Sequence, residues 1–234
     1  KRRLFTGLLP PPAAVNVGDP YGRRLADELG GAHRAPLVTF GLRPEADVRA
    51  DGLEHGPHGS TFAAAGIELD PRLPGIFNVE NVLGAVGAAL LLDLGEVAVA
   101  EGIRAVAGVP GRFEAVDEGQ GFAVVVDYAH KPDALAAVLR AARPLGDGTL
   151  TVVIGAGGDR DRSKRPEMGR VARELADSVI VTSDNPRSED PLEIIAEVLQ
   201  GAGIDVEVDP DRRSAIETAI GRAAEGDVVV IAGK

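Results

Sequence analysis

The sequence predicts an α/β protein whose second half carries a mostly parallel, doubly wound sheet. The first observation is alternation. From Ala123 onward, short runs rich in Val, Ile and Leu are separated by longer segments of helical spacing. The second is composition: hydrophobic residues make up 44% of the 234 residues and aromatics only 3%, so the core must be aliphatic. Aliphatic, glycine-rich chains suit helices packed closely on a parallel sheet. The third is punctuation. Pro132, Pro166 and Pro191 each open a helical segment, where a missing N–H costs nothing.

The first part reads as mixed α/β. Ala13 to Val17 is a short apolar strand, Pro20 to Leu29 has helical spacing, and Leu37 to Phe40 is a second strand. Ser60 to Leu69 is expected to form a strand pair on one sheet. Asn78 to Leu94 is a helix with apolar residues at Val79, Val82, Leu83, Val86 and Leu90, and Val97 to Ala107 is another. Gly108, Pro110 and Gly111 then break the pattern, and a domain boundary is expected there. Beyond it the strands are Ala123–Val126, Leu150–Ile154, Ser178–Thr182, Val206–Val208 and Val228–Ala232. The helices between them are Pro132–Arg143, Pro166–Leu175, Pro191–Gln200 and Arg212–Ala224.

A net charge of −11 repels phosphate backbones and argues against nucleic acid as a partner. The absence of cysteine excludes disulfides and thiolate metal sites, and fits a cytoplasmic location. No apolar run approaches the ~20 residues of a membrane helix; the best, Ala85 to Leu92, is stopped by Asp93, Gly95 and Glu96. The chain opens on Lys1 and closes on Lys234, directly after the apolar run Val228 to Ala232, which leads us to expect a fragment of a longer protein.

In sheets of this kind ligands bind beyond the carboxyl ends of the strands. Those ends run into Asp127-Tyr128-Ala129-His130, Gly155-Ala156-Gly157-Gly158-Asp159-Arg160-Asp161-Arg162, Asp184-Asn185-Pro186-Arg187 and Gly233-Lys234. The glycine segment is a broken dinucleotide fingerprint, because Arg160 occupies the third glycine position; its glycines still permit close backbone approach to a ligand. Asp127 reads either as an acceptor for ribose hydroxyls or as the N-cap of the next helix. His130 is a solvated loop residue or a contact to a nucleotide. His55 and His58 have loose metal-like spacing but read as a solvated turn. Pro186 restricts Asn185 to extended backbone. Arg187 offers a planar fork to a carboxylate, and Asp184 an acceptor to an ammonium group. Together they suit an amino-acid zwitterion; the alternative is a surface turn with Arg187 paired to Glu189 or Asp190.

Five segments in order carry a resemblance to a known family: Phe77-Asn78-Val79-Glu80-Asn81, Gly111-Arg112-Phe113-Glu114, Asp127-Tyr128-Ala129-His130-Lys131-Pro132-Asp133, Gly157-Gly158-Asp159-Arg160-Asp161 with Lys164-Arg165-Pro166, and Asp184-Asn185-Pro186-Arg187. Over essentially its whole length the chain resembles the Mur ligases, in the subgroup that adds the third residue of a peptidoglycan precursor. The resemblance implies that residues 1–110 are the second half of a central α/β ATPase domain and 111–234 a Rossmann-like C-terminal domain truncated at its end. It also implies that a first domain, the phosphate-binding Gly-Lys-Thr loop and a Gly-His-Glu continuation after Lys234 lie outside this sequence, and that the 234 residues alone lack activity.

The same resemblance implies site residues. Lys1 corresponds to a lysine that is carbamylated to hold magnesium. Asn78 corresponds to an adenine contact, and Arg112 and Asp127 to phosphate and ribose contacts, with His130 nearby. Arg160, Asp184, Asn185, Pro186, Arg187 and Gly233 correspond to the site for the incoming amino acid. One departure stands out: Asn16-Val17-Gly18-Asp19 replaces a usual Asn-x-Asp-Asp, losing a carboxylate at Gly18. The implied activity is ATP- and magnesium-dependent amide ligation. It would add meso-diaminopimelate to UDP-N-acetylmuramoyl-L-alanyl-D-glutamate through an acyl phosphate, by a cytoplasmic monomer. The alternatives are a lysine-adding or other related ATP-dependent amide ligase, or a non-catalytic nucleotide-binding module.

Overall fold

The structure, a computed structural model, describes residues 2–5, 11–32, 35–56 and 59–233. Its contacts divide the chain into two compact units, Lys1–Ala107 and Gly108–Lys234.

In the first unit, strand β1 (Ala13–Asn16) pairs parallel with β2 (Leu37–Phe40), and helix α1 (Pro20–Ala32) connects them. Three further strands form an antiparallel sheet: β3 (Asp51–Gly56), β4 (Gly59–Ala64) and β5 (Ile67–Leu69). The expected strand pair is therefore present as β4 and β5. Ala65 and Gly66 form its tight turn, with φ of 50° and 81°, the pair of positive values that a two-residue hairpin turn needs. β3 was not anticipated. Its residues are almost all exposed, and an edge strand without apolar alternation leaves no period to read.

Helix α2 (Ile76–Leu91) buries Val79, Val82, Leu83 and Val86 against Phe62, Ala64, Ile67 and Leu69. It ends earlier than its apolar pattern suggests. Asp93 adopts φ 55°, while Asp93 N donates to Leu90 O and Leu94 N to Ala89 O, each at 3.1 Å. This is a Schellman stop, with an Asp in the place usually taken by Gly. Leu90 lies in the last turn, 42% exposed, rather than in the core. Helix α3 (Glu96–Ala105) buries only Val99.

The second unit holds a six-stranded sheet. Its strands are β6 (Glu114–Ala115), β7 (Ala123–Asp127), β8 (Leu150–Ile154), β9 (Ser178–Val181), β10 (Glu207–Val208) and β11 (Val228–Ala232). Their order is β10-β9-β8-β11-β7-β6, parallel throughout except for the edge strand β6. The expected mostly parallel α/β architecture is borne out. β6 escaped notice because two residues carry no periodicity.

Helices α4 (Pro132–Ala142), α5 (Lys164–Leu175) and α6 (Pro191–Ala202) pack side by side in succession. Helix α7 (Arg212–Arg222) sets Ala215 and Ala219 against Val124, Val153, Ile180 and Val229. Alternate residues of the same strands are left for the opposite face. α5 and α6 touch backbone to backbone: a Cβ on Gly201 would lie 1.7 Å from Pro166 O, and one on Gly169 2.1 Å from Val198 O. α5 begins where the glycine-rich loop after β8 ends. Among the described residues no helix is long and apolar enough to cross a membrane.

Candidate functional site

Because β7, β8, β9 and β11 run parallel, their carboxyl ends open on one edge of the second unit's sheet. A cleft of about 870 Å³ lies there. Its walls include His130 from the β7 loop, Arg160 and Lys164 from the β8 loop and helix, and Asp184, Asn185 and Arg187 from the β9 loop. Five of the residues expected in a site, from three separate segments, thus share one cleft.

Asp127 ends β7 and is only 7% exposed. Its Oδ2 accepts from Phe113 N and its Oδ1 from Ala129 N, both at 2.7 Å. It is not the N-cap of α4; that position is Lys131, without a side-chain bond. The carboxylate instead fastens the Gly111–Phe113 segment and the β7 loop to the strand end. Above it, the Arg112 guanidinium lies 4.6 Å from the Tyr128 ring centre, a cation–π distance. Tyr128 meets His130 edge-on at 4.9 Å. His130 Nδ1 lies 3.0 Å from Tyr128 O. A carbonyl only accepts, so Nδ1 carries the proton in this bond and Nε2 is the acceptor nitrogen of the neutral ring.

The glycine segment behaves differently from its sequence expectation. A Cβ on Gly158 would lie 1.8 Å from Pro186 O, so the close approach is to the β9 loop. Gly158 N donates to Asn185 O at 2.9 Å, and Arg187 Nη1 donates to Gly158 O. Ser188 Oγ donates to Asp159 Oδ1 at 2.7 Å. Both Asp159 and Arg187 take left-handed backbone, φ 50° and 51°, which costs a non-glycine residue of order 1 kcal/mol or more. The loops are thus laced into one wall. Arg187 pairs with neither Glu189 nor Asp190: Glu189 is held elsewhere, and Asp190 caps α6 by accepting from Leu192 N.

Arg160 and Arg187 both line this cleft, and among the described residues neither has an ion-pair partner. Asp184 Oδ1 accepts from Asn185 N at 2.7 Å. Gly233, at φ 76°, abuts it: a Cβ there would lie 3.4 Å from Asp184 Oδ2. Arg212, partly buried, ties the two segments by donating to Gly233 O and, at 3.5 Å, to Ser183 O. Burial lowers its pKa, and Asp184 opposes that shift. Lys164 Nζ donates to His130 O at 2.8 Å. Partial burial pushes its ammonium below the ordinary lysine range, against the pull of Asp161.

Sequence reasoning missed Arg165, which is fully buried behind the glycine loop. Its Nη1 reaches Glu189 Oε2 and Glu197 Oε2 at 2.8 Å, and its Nη2 reaches Glu189 Oε1 at 2.7 Å and Gly157 O at 3.2 Å. Bidentate pairing with Arg165, joined by Asp159 N–H, holds Glu189 down at about 2. Arg162 and then Arg165 depress Glu197. The signal available was the Lys164-Arg165-Pro166 triplet, but a charged residue at a helix start normally reads as solvated.

In the first unit, half-buried Asn78 donates Nδ2 to Pro74 O at 2.8 Å and accepts from Asn81 Nδ2 at 3.1 Å. Asn16 Oδ1 accepts from Gly18 N at 2.7 Å. A Cβ on Gly18 would lie 2.9 Å from Glu80 Oε1, and burial pushes the Glu80 carboxyl up. The lost carboxylate at Gly18 therefore coincides with a nearby one on α2. His55 is exposed on β3; His58 and Lys1 lie outside the described residues.

Comparison with known proteins bears on the family of the chain. A family model described as "Mur ligase, glutamate ligase domain" matches residues 111–234, and one described as "Mur ligase middle domain" matches residues 1–89. A Streptomyces coelicolor protein named UDP-N-acetylmuramoyl-L-alanyl-D-glutamate--2,6-diaminopimelate ligase is 48% identical over 100% of this chain and 48% of its own length. A protein of the same name from Thermosynechococcus vestitus is also 48% identical, with the same coverage. The chain spans about half the length of the curated relatives it matches. A solved structure of a protein of that name superposes with TM-score 0.59 at 36% identity, over 100% of this chain and 50% of the other. MurF from Acinetobacter baumannii superposes with TM-score 0.75 over 100% of this chain and 51% of the other; at 18% identity it shares the fold alone. With its two halves matched in order by the middle and C-terminal family models, this chain belongs to the Mur ligase family.

Proposed function

We propose that the chain is part of an ATP-dependent amide ligase that adds meso-diaminopimelate to UDP-N-acetylmuramoyl-L-alanyl-D-glutamate in peptidoglycan precursor synthesis, in the cytoplasm. One observation carries the reading: a single cleft is lined by the cations Arg160 and Arg187 and by the carboxylate of Asp184, as an amino acid bearing both charges requires. Relatives at 48% identity that carry this activity in their names support it.

Residues 1–110 then supply the later part of the central nucleotide-binding domain and 111–234 the C-terminal ligase domain. Asp184 would accept from the ammonium group of the incoming amino acid. Arg160 and Arg187 would pair with its carboxylates, with Asn185, Pro186 and Gly233 shaping the pocket. Arg187 suits diaminopimelate over lysine because only diaminopimelate has a second carboxylate to fill the fork. Asn78 would contact adenine. Arg112 presents exposed donors to phosphate, His130 Nε2 an exposed acceptor to a ribose hydroxyl, and Asp127 supports them with its remaining lone pairs.

The γ-phosphoryl of ATP passes to the γ-carboxylate of D-glutamate, releasing ADP. The amine of diaminopimelate then attacks the acyl carbon, phosphate leaves and the nitrogen loses a proton. This chain contributes by holding that amine in place. Magnesium, when bound, neutralises charge that develops on the transferring phosphoryl group. It enters the proposal from the family resemblance alone: Lys1 lies outside the described residues, and among the described residues no three His, Cys, Asp or Glu side chains gather to hold a metal.

The test is ADP release by the complete gene product that carries this chain. We expect release only with ATP, the UDP-muramoyl dipeptide and diaminopimelate all present. Release that ignores the amino acid would refute the reading.

A further inference from the structure

The ion cluster behind the cleft is more than core filling. Among the described residues Arg165 is the largest fully buried side chain, and its buried Nε has no hydrogen-bond partner there. Burying a guanidinium is costly, and apolar residues fill a core more cheaply. Its contacts are also specific. The guanidinium touches Gly157 O on the β8 loop and both oxygens of Glu189 at the end of the β9 loop. Glu189 Oε1 returns to the β8 loop by accepting from Asp159 N at 2.5 Å. Gly157 and Asp159 lie just before Arg160, and Glu189 two residues after Arg187. Glu197, on α6, receives the same guanidinium at 2.8 Å and the exposed Arg162 side chain at 2.9 Å, but among the described residues it bonds no backbone atom of either loop.

We infer that Arg165, acting through Glu189, is a positioning residue that fixes the spacing of Arg160 and Arg187 on the cleft wall. The inference rests on the proposed reading of that cleft as the amino-acid site. Arg165 itself never reaches the cleft. It ties the Gly157 carbonyl of the β8 loop to the Glu189 side chain of the β9 loop, so that the two forks stand at a set separation before the amino acid arrives. Pre-set geometry lowers the ordering cost of binding, so its loss falls on amino-acid affinity. Nucleotide binding, through other segments, is spared.

The test uses the complete gene product and measures KM for the amino acid, KM for ATP, kcat and melting midpoint. Wild type is first assayed with diaminopimelate and with lysine. Turnover of lysine instead would sink the substrate reading, and the variants would then be read on lysine. Arg165→Lys and Glu189→Gln should each raise the amino-acid KM by about tenfold or more, leaving kcat and the ATP KM within about threefold. Glu197→Gln should lower the melting midpoint comparably while shifting the amino-acid KM by less than about threefold. If Arg165→Lys fails to fold, the contrast between Glu189→Gln and Glu197→Gln decides alone. Equal KM shifts in those two variants, or a fall in kcat and midpoint with an unchanged KM, would overturn the inference and leave Arg165 a stabilising ion pair.

Discussion

Replacing Arg187 by alanine removes a guanidinium that does two jobs in the structure. Its Nη1 holds Gly158 O, and the residue lines the cleft. Truncating one partner of a desolvated charge pair typically costs ~2–5 kcal/mol. Arg187 is exposed in the free protein, so its pair with a bound carboxylate starts from a solvated guanidinium and belongs in the lower part of that range. The loop contact adds little. Gly158 N still donates to Asn185 O, and Arg165 still clamps Glu189 and Gly157. We therefore expect ~2–3 kcal/mol, roughly a 30- to 150-fold rise in KM for diaminopimelate. Arg187→Lys should recover only part of this, because an ammonium lacks the fork. The ATP KM should barely move. The assay is steady-state kinetics of the complete gene product with diaminopimelate and lysine varied in turn. Unchanged diaminopimelate kinetics in Arg187→Ala would show that the fork does not hold the substrate.

Other consequences are open to measurement. Glu189 sits at about 2 against an ordinary 4.5. A depressed carboxyl stabilises the fold fully above about pH 4.5 and loses that contribution as pH falls towards 2. The denaturation midpoint of wild type should therefore drop more steeply between pH 5 and 2 than that of Glu189→Gln; parallel profiles would contradict the pairing. Gly158→Ala places a Cβ 1.8 Å from Pro186 O, so the two loops must part. Amino-acid KM should rise about tenfold or more with little change in ATP KM, and wild-type kinetics would show that the loops do not need this contact. Asp93→Gly relieves a left-handed residue at the end of α2 and should stabilise the first unit by ~1 kcal/mol, read from its denaturant midpoint.

What the sequence disclosed, and what it hid, follows from how each residue signals its surroundings. Runs such as Leu150–Ile154 and Val228–Ala232 are buried on both faces, so they announce themselves as central parallel strands, and the charged residues after them mark the sheet edge where the cleft lies. β3 gave no such signal, since Asp51, Gly52, Glu54 and His55 are all exposed. Leu90 and Val97 fitted helical periods yet are exposed, because periodicity does not say where a helix frays or whether a partner covers it. Gly158 was legible as a point of close approach, but not which backbone approaches. Arg165 was visible only as part of the Lys164-Arg165-Pro166 triplet, and its burial was hidden. Its burial depends on Glu189 and Glu197, which lie 24 and 32 residues away in sequence and come near only because α5 packs on α6.

The central claim is that this cleft selects a diaminopimelate carboxylate, and direct competition tests it. The complete gene product is given ATP, the UDP-muramoyl dipeptide and equal diaminopimelate and lysine, and the two tripeptide products are separated by mass. The account predicts that the diaminopimelate product exceeds the lysine product by about tenfold or more, and that Arg187→Ala collapses the ratio towards one. Equal incorporation by the wild type, or a ratio that Arg187→Ala leaves untouched, would contradict it.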